Sequence, residues 1–246
     1  MRSPRFIAAI AAVLTIAAST PTYAAPPPAY RPVAITLPAP VPDEAFEALR
    51  KEVGEAAQRK DRAAMAKLTV ARGFFWLRDN RMVVDKRKSG FDVLAAALGL
   101  NNKDSAGWEI LASTTEDPTA SPTPGRAGAL CAPAEPAYDR KAFADLLAAT
   151  NSDISEWGYP VSTEIAAHAA PQSGAPVVEK LGLYFVRMMP ETASTPPSWL
   201  RIAIPSGQIG YVSVDSVAPI GNDQICYVKD GGGWKIGGYI GDGEPQ

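Results

Sequence analysis

Histidine and cysteine are nearly missing: His168, Cys131 and Cys226 are the whole supply in 246 residues. A structural zinc site usually needs four protein ligands and a catalytic one three plus water, so no metal centre is expected, and no motif calls for a cofactor. A thiol nucleophile with an imidazole base would have to combine His168 with one of those two cysteines. Neither cysteine opens a predicted helix, and His168 is expected at the head of a surface turn. There is also no apolar run of about 20 residues, the length a membrane span needs. The glycine run 231–233 is not followed by Gly-Lys-Ser/Thr, so it reads as a hairpin turn rather than a phosphate loop. No acidic cluster has calcium-loop spacing. The carboxylate pairs Glu116-Asp117 and Asp43-Glu44 read as loop solvation and helix-dipole compensation, whereas glycosidase chemistry needs two carboxylates converging across a cleft.

What the N-terminus does contain is a short positive stretch, Arg2 and Arg5, ahead of an apolar run from Phe6 to Ala18 broken only by Thr15. With small residues at Thr22 and Ala24, residues 1–24 are expected as a cleavable signal peptide cut after Ala24, the alternative being an uncleaved anchor. No cysteine near that point supports lipid attachment. The mature chain would be periplasmic or secreted, with no stable membrane anchor. It would carry 22 basic and 26 acidic residues, a charge of −4, which offers no electrostatic footprint for nucleic acid. Asp85-Lys86-Arg87-Lys88 is short, partly self-neutralised, and reads as a solvated turn. An oxidising compartment permits a Cys131–Cys226 disulfide, which would stabilise the fold by about 4–5 kcal/mol in the chain-entropy model; the alternative is two separate buried thiols.

Seven prolines in residues 25–42 predict an extended, largely disordered lead. A mainly helical domain is then expected over 43–157. Asp43 can cap a helix carrying Phe46, Leu49, Val53 and Ala57, and Asp61 a second carrying Ala64, Met65 and Leu68, as an antiparallel pair or one kinked helix. Phe74 to Leu77 suits a strand or a buried connector. Ser89 to Asp92 has capping-box spacing before Phe91, Leu94, Ala95 and Leu98, with Gly99 as the stop. Trp108, Ile110 and Leu111 extend the apolar packing, 117–136 is a Pro-rich loop, and Asp139 starts a helix with Phe143, Leu146 and Leu147, running to about Thr150.

From Tyr159 the texture changes to alternating β-branched and aromatic residues with turn formers between, so the fold class is α+β. Leu200, Ile202 and Ile204 line one face of a strand, Pro205-Ser206-Gly207 turns it, and Ile209 and Tyr211 share a face of the return strand. This hairpin, its Gly210-Tyr211-Val212 ending, the strand at 164–170 and the pair at 177–181 and 183–189 resemble the bacterial Src-homology-3-like (SH3-like) domain over residues 161–220. His168 stands where that family often has Arg, Ala170 where it often has Gly, and the loop 190–198 is long. The resemblance implies a small β-barrel over 158–220 of an exported cell-envelope protein. A further hairpin and tail, 221–246, follow; Cys226 within it is expected to dock the hairpin back onto the helical region.

The resemblance also implies a non-catalytic binding or interaction module contacting peptidoglycan peptides or an envelope protein. Trp199 and Tyr211 are the candidate binding aromatics, with barrel-edge core as the competing structural role. The alternative function is a cell-wall peptide hydrolase with this domain as its targeting part, which would require His168 near a thiol or carboxylate.

Overall fold

In the computed structural model, residues 27–78, 81–123, 126–192 and 195–241 are described, and the expected signal peptide lies outside them. In chain order the elements are β1 (Ile35–Thr36), α1 (Glu44–Gln58), α2 (Arg62–Leu68), β2 (Phe75–Arg78), β3 (Arg81–Val84), α3 (Gly90–Ala97), α4 (Ala106–Thr114), β4 (Ser121–Pro122), β5 (Leu130–Ala132) and β6 (Ala137–Tyr138). They continue with α5 (Arg140–Thr150), β7 (Trp157–Pro160), β8 (Ile165–His168), β9 (Val177–Leu181), β10 (Val186–Met188), β11 (Trp199–Ala203), β12 (Ile209–Ser213), β13 (Val217–Pro219), β14 (Gln224–Asp230) and β15 (Gly233–Ile240). The class is α+β.

The helix starts follow from their caps. The Asp43 carboxylate accepts the Phe46 N–H at 3.0 Å, Asp61 that of Ala64 at 2.9 Å, the Ser89 hydroxyl that of Asp92 at 3.1 Å, and Asp139 those of Lys141 and Ala142. Each satisfies a backbone donor the first helical turn leaves orphaned. Gly99, with φ of 65°, ends α3 as its lack of a Cβ allows.

These helices do not make a helical domain by themselves. Residues 43–157 also supply β2 to β6, and the first module is a six-stranded sheet in the order β3-β2-β15-β14-β5-β4. Its two long central strands, β14 and β15, come from the C-terminal hairpin, with β15 parallel to β2 and β14 antiparallel to β5. Ile225 and Tyr227 of β14, with Ile236 and Tyr239 of β15, pack beneath Phe46, Leu49, Val53, Leu94, Trp108 and Leu111 of the helices. The other face holds Phe75, Ala129, Cys131 and Cys226. Phe75 lies so close to the hairpin that a Cβ on Gly238 would sit 2.4 Å from its ring, so glycine is required there. Cys226 stands opposite Cys131 in the β14–β5 ladder and the two sulfurs are bonded. The hairpin thus docks on the helical region as expected.

The second module is a seven-stranded antiparallel sheet in the open order β13-β7-β10-β11-β12-β8-β9. The 199–212 hairpin forms with the expected turn, where Gly207 takes φ of 83°. Helix α5, expected in the helical domain, belongs here: Phe143 and Leu146 pack on Trp157 and Phe185.

The lead corrects the sequence expectation of disorder. Its Val33 and Ile35 are buried, β1 pairs with β6, Ile35 N–H donates to the Leu183 carbonyl at 3.0 Å, and Val33 accepts from Phe185 at 3.2 Å. The Tyr30 hydroxyl donates to the Ala203 carbonyl, and its ring meets Trp157 edge-on at 5.0 Å. The prolines flank the paired stretch rather than interrupt it: Val33 to Thr36, which meet β6 on one side and residues 183–185 on the other, contain none and keep their donors.

The chain therefore runs from the second module into the first, back to the second after β5, and into the first again at β14. The boundaries 43–157, 158–220 and 221–246 read from sequence are replaced by two interleaved modules.

Two buried groups lack hydrogen-bond partners among the described residues: Arg50 Nε and the Tyr227 hydroxyl. Arg50 reaches the Thr115 carbonyl with Nη2, while burial pushes the Tyr227 phenol well above its usual range. An unsatisfied buried hydroxyl costs about 1–3 kcal/mol. Tyr227→Phe is expected to stabilise the protein by about 1 kcal/mol in urea unfolding, and a loss of that size would mean the hydroxyl is bonded. The bonded cysteines close a loop spanning 95 residues. Cys131→Ala/Cys226→Ala is expected to lower stability by about 4–5 kcal/mol, and reduction of the native protein to bring it to the same level; equal stability of oxidised and reduced protein would refute the cross-link.

Candidate functional site

The second sheet has an inner and an outer face, set by strand alternation. Ile202 of β11, Val212 of β12, Ala167 of β8, Leu181 of β9, Val186 of β10 and Val217 of β13 turn inward as a buried cluster. The outer face begins at β7 and β10, where Trp157 and Phe185 are covered by α5 and the lead. It ends, past Ala203, on a strip that the described residues of these two elements do not cover.

Trp199 and Arg201 point to that strip from β11, and Ile209, Tyr211 and Ser213 from β12, with Trp199 opposite Ser213 and Arg201 opposite Tyr211. On the next strand, β8, His168 is in register with Tyr211. Trp199 and His168 meet edge to face, ring centroids 5.7 Å apart at 87°. All four side chains, Trp199, Arg201, Tyr211 and His168, are half-buried. The result is a shelf of two aromatic rings and an imidazole with a guanidinium at its side. Such a surface suits an extended peptide or a sugar face, with a positive group for a carboxylate.

The structure thus brings the two sequence-predicted aromatics together on one face, diagonally, two residues apart along the ladder, and outside the sheet's buried cluster. Their competing role as core is not what their positions serve, since Leu200, Ile202 and Val212 fill that side. Two members of the shelf were missed. Arg201 was legible from the same alternation that selects Trp199. His168 was expected in a turn, and it ends a strand instead; which strand lies beside β12 is a matter of register that spacing does not reveal.

His168 is fixed by its own neighbours. Its Nδ1 lies 2.8 Å from the Ala175 carbonyl, which can only accept, so Nδ1 carries the proton and Nε2 is the acceptor of the neutral ring. Its neighbours include that carbonyl, the Trp199 indole and, across the ladder, Tyr211. Both cysteines are bonded to each other in the other module, so neither provides a thiol beside it. The other acidic candidates have structural duties. Asp43 caps α1 and accepts from Trp234 Nε1 at 3.0 Å, which with the Phe46 N–H holds its carboxyl below the usual range, and Asp117 accepts the backbone and hydroxyl of Thr119. Among the described residues no group of three or more His, Cys, Asp or Glu is gathered as metal ligands, and no helix is long and apolar enough to cross a membrane.

Arg187 marks the border of the covered half. Its guanidinium donates twice to one Glu156 oxygen, at 3.0 and 2.6 Å, and Glu156 in turn accepts the Asp153 N–H. The backbone bond first, then the arginine, hold the Glu156 carboxyl below its ordinary range. This fixes the start of β7 against β10 and so the level at which the shelf begins. The chain matches no protein-family model, no curated protein and no solved structure.

Proposed function

We propose that this chain is an exported, non-catalytic binding or interaction module of the cell envelope, whose second module is a Src-homology-3-like barrel presenting the Trp199/Tyr211 shelf to peptidoglycan peptides or an envelope protein. The observation that carries the reading is the half of the outer face left uncovered among the described residues. An aromatic pair, an imidazole and an arginine share it, while the other half of the same face is sealed by α5 and the lead. Half-exposed aromatic rings aligned on a rigid sheet lose little conformational entropy when a ligand stacks on them.

Two further features support the barrel. The last strand of the region, β13, pairs with its first, β7, and the inward side chains of six strands form one buried cluster between them. The disulfide supports export, since such bonds persist in oxidising compartments. A hydrolase built on His168 has less support, because the neighbours of that ring include a carbonyl, an indole and Tyr211, and neither cysteine provides a thiol beside it.

The mature protein is expected to be retained on isolated cell wall. Trp199→Ala/Tyr211→Ala is expected to weaken retention at least ten-fold with an unchanged melting temperature. Absence of retention, or retention indifferent to both aromatics, removes the wall-binding reading. Release of soluble wall fragments during the incubation, abolished by His168→Ala, would establish hydrolysis in its place.

A further inference from the structure

The first module carries a feature unrelated to the aromatic shelf. Three segments distant in sequence meet at one end of its sheet: the loop between α2 and β2, residues 126–128 ahead of β5, and the end of β14. Between them lies an open cleft of about 610 Å³, lined by Arg72, Gly73, Arg126, Gly128, Lys229 and Asp230 among others. Two arginines, a lysine and an aspartate are among its lining residues.

The two arginines are held by neutral partners. Arg72 Nη1 donates to the carbonyls of Lys86 at 3.0 Å and Arg87 at 3.2 Å. The Arg126 guanidinium lies over the Phe75 ring, 5.5 Å from its centroid. Among the described residues neither has a carboxylate within salt-bridge distance, so their orientation is set while their charge is not cancelled. Lys229, by contrast, rests over Trp234 at 5.0 Å and is ion-paired with Asp43 at 3.8 Å, so its charge is already answered.

The surroundings reinforce this. Residues 59–88 contain ten basic and three acidic residues. Of those acids, Asp61 is occupied in capping α2, and Asp85 accepts the Arg87 N–H, which keeps its carboxyl below the usual range. The turn 85–88, whose carbonyls hold Arg72, therefore adds Lys86 and Arg87, both exposed, to the rim.

We infer that this cleft is an oxyanion site for a phosphoryl group. The two guanidiniums of the lining, with the exposed Lys86 and Arg87 beside Arg72, outweigh the lining carboxylate of Asp230 and so complement the charge of about −1.5 to −2 on a phosphate monoester at neutral pH better than that of a single carboxylate. Guanidinium forks match the geometry of phosphate oxygens, and arginines already oriented by carbonyls and a ring lose less freedom on binding than mobile ones. The phosphoryl group comes either from a soluble phosphate compound or from a phospholipid headgroup.

The test uses the mature protein at constant ionic strength. Inorganic phosphate titrated by calorimetry is expected to saturate a single site, with affinity at least ten-fold weaker in Arg72→Gln/Arg126→Gln and unchanged in Lys141→Gln, an exposed lysine of the other module. Near-ultraviolet circular dichroism reports that each variant keeps the native packing. Co-sedimentation with phosphatidylglycerol but not phosphatidylcholine vesicles, reversed by free phosphate and lost in the double variant, assigns the headgroup. Phosphate binding without co-sedimentation assigns a soluble compound. Absence of saturable phosphate binding, or equal binding by the double variant, overturns the site.

Discussion

The β14–β5 pairing at Cys131 and Cys226 is the joint on which the rest of the architecture depends. The chain leaves the first module just after Cys131 and returns to it just before Cys226, so everything between is an excursion that the bond closes at its neck. The returning strand does more than end the excursion. It enters the centre of the six-stranded sheet, and β15 follows as the parallel neighbour of β2. Until both arrive, Phe46 lacks Tyr227 and Trp234, its two aromatic neighbours at 5.0 and 5.2 Å. Helices α1, α2 and α3 are locally capped, but they and α4 have no sheet centre to rest on. The first module is thus completed by the last segment of chain, a highly non-local arrangement whose closure entropy the cross-link offsets.

The lead plays a similar part in the second module. It crosses β10 on the outer face and lies on α5, and then enters the first module where Val41 N–H donates to the Pro118 carbonyl. Because it and α5 seal the face over Trp157 and Phe185, the sheet has a stable backing where rigidity is needed, and the strip beyond Ala203 is left open. Tyr30 sits at the boundary, bonded by its hydroxyl to the carbonyls of Phe185 and Ala203. At the other end of its described stretch, Pro27 to Ala29 lie against Gly207 in the β11–β12 turn, so the strap braces the hairpin that carries Tyr211.

Much of the local structure was legible. Asp43, Asp61, Ser89 and Asp139 cap helices because a side-chain oxygen at the right offset satisfies a backbone donor, a rule that needs no tertiary information. The 199–212 hairpin was legible for the same reason, since alternation and a glycine turn are local. Helix α4 was not, because Ser105 makes no side-chain cap bond and Gly107 weakens the pattern just where the helix begins; that glycine is there because a Cβ would meet the Leu98 carbonyl. The lead was misread because its prolines outweighed Val33 to Thr36. Strand order was beyond reach: nothing local says that β15 runs parallel to β2, or that β8 lies beside β12. The shelf was half legible for that reason, Trp199 and Tyr211 from alternation within their strands, His168 only from register between strands.

Charge shows the same division between mean and local properties. A net charge of −2 bears on the long-range field of the whole molecule, which decays over about 8–10 Å at physiological salt. A ligand in a cleft feels the groups lining it, and the cationic residues of 59–88 are outnumbered only by acids placed elsewhere in the chain. Folding then decides which charges are cancelled. Lys141 is paired with Asp145 and Arg187 with Glu156, while Arg72 and Arg126 are oriented by carbonyls and a ring, which fix a guanidinium without neutralising it. Net charge sums over both kinds of residue alike, so it constrains partners only through the part of the surface where the cancellation fails.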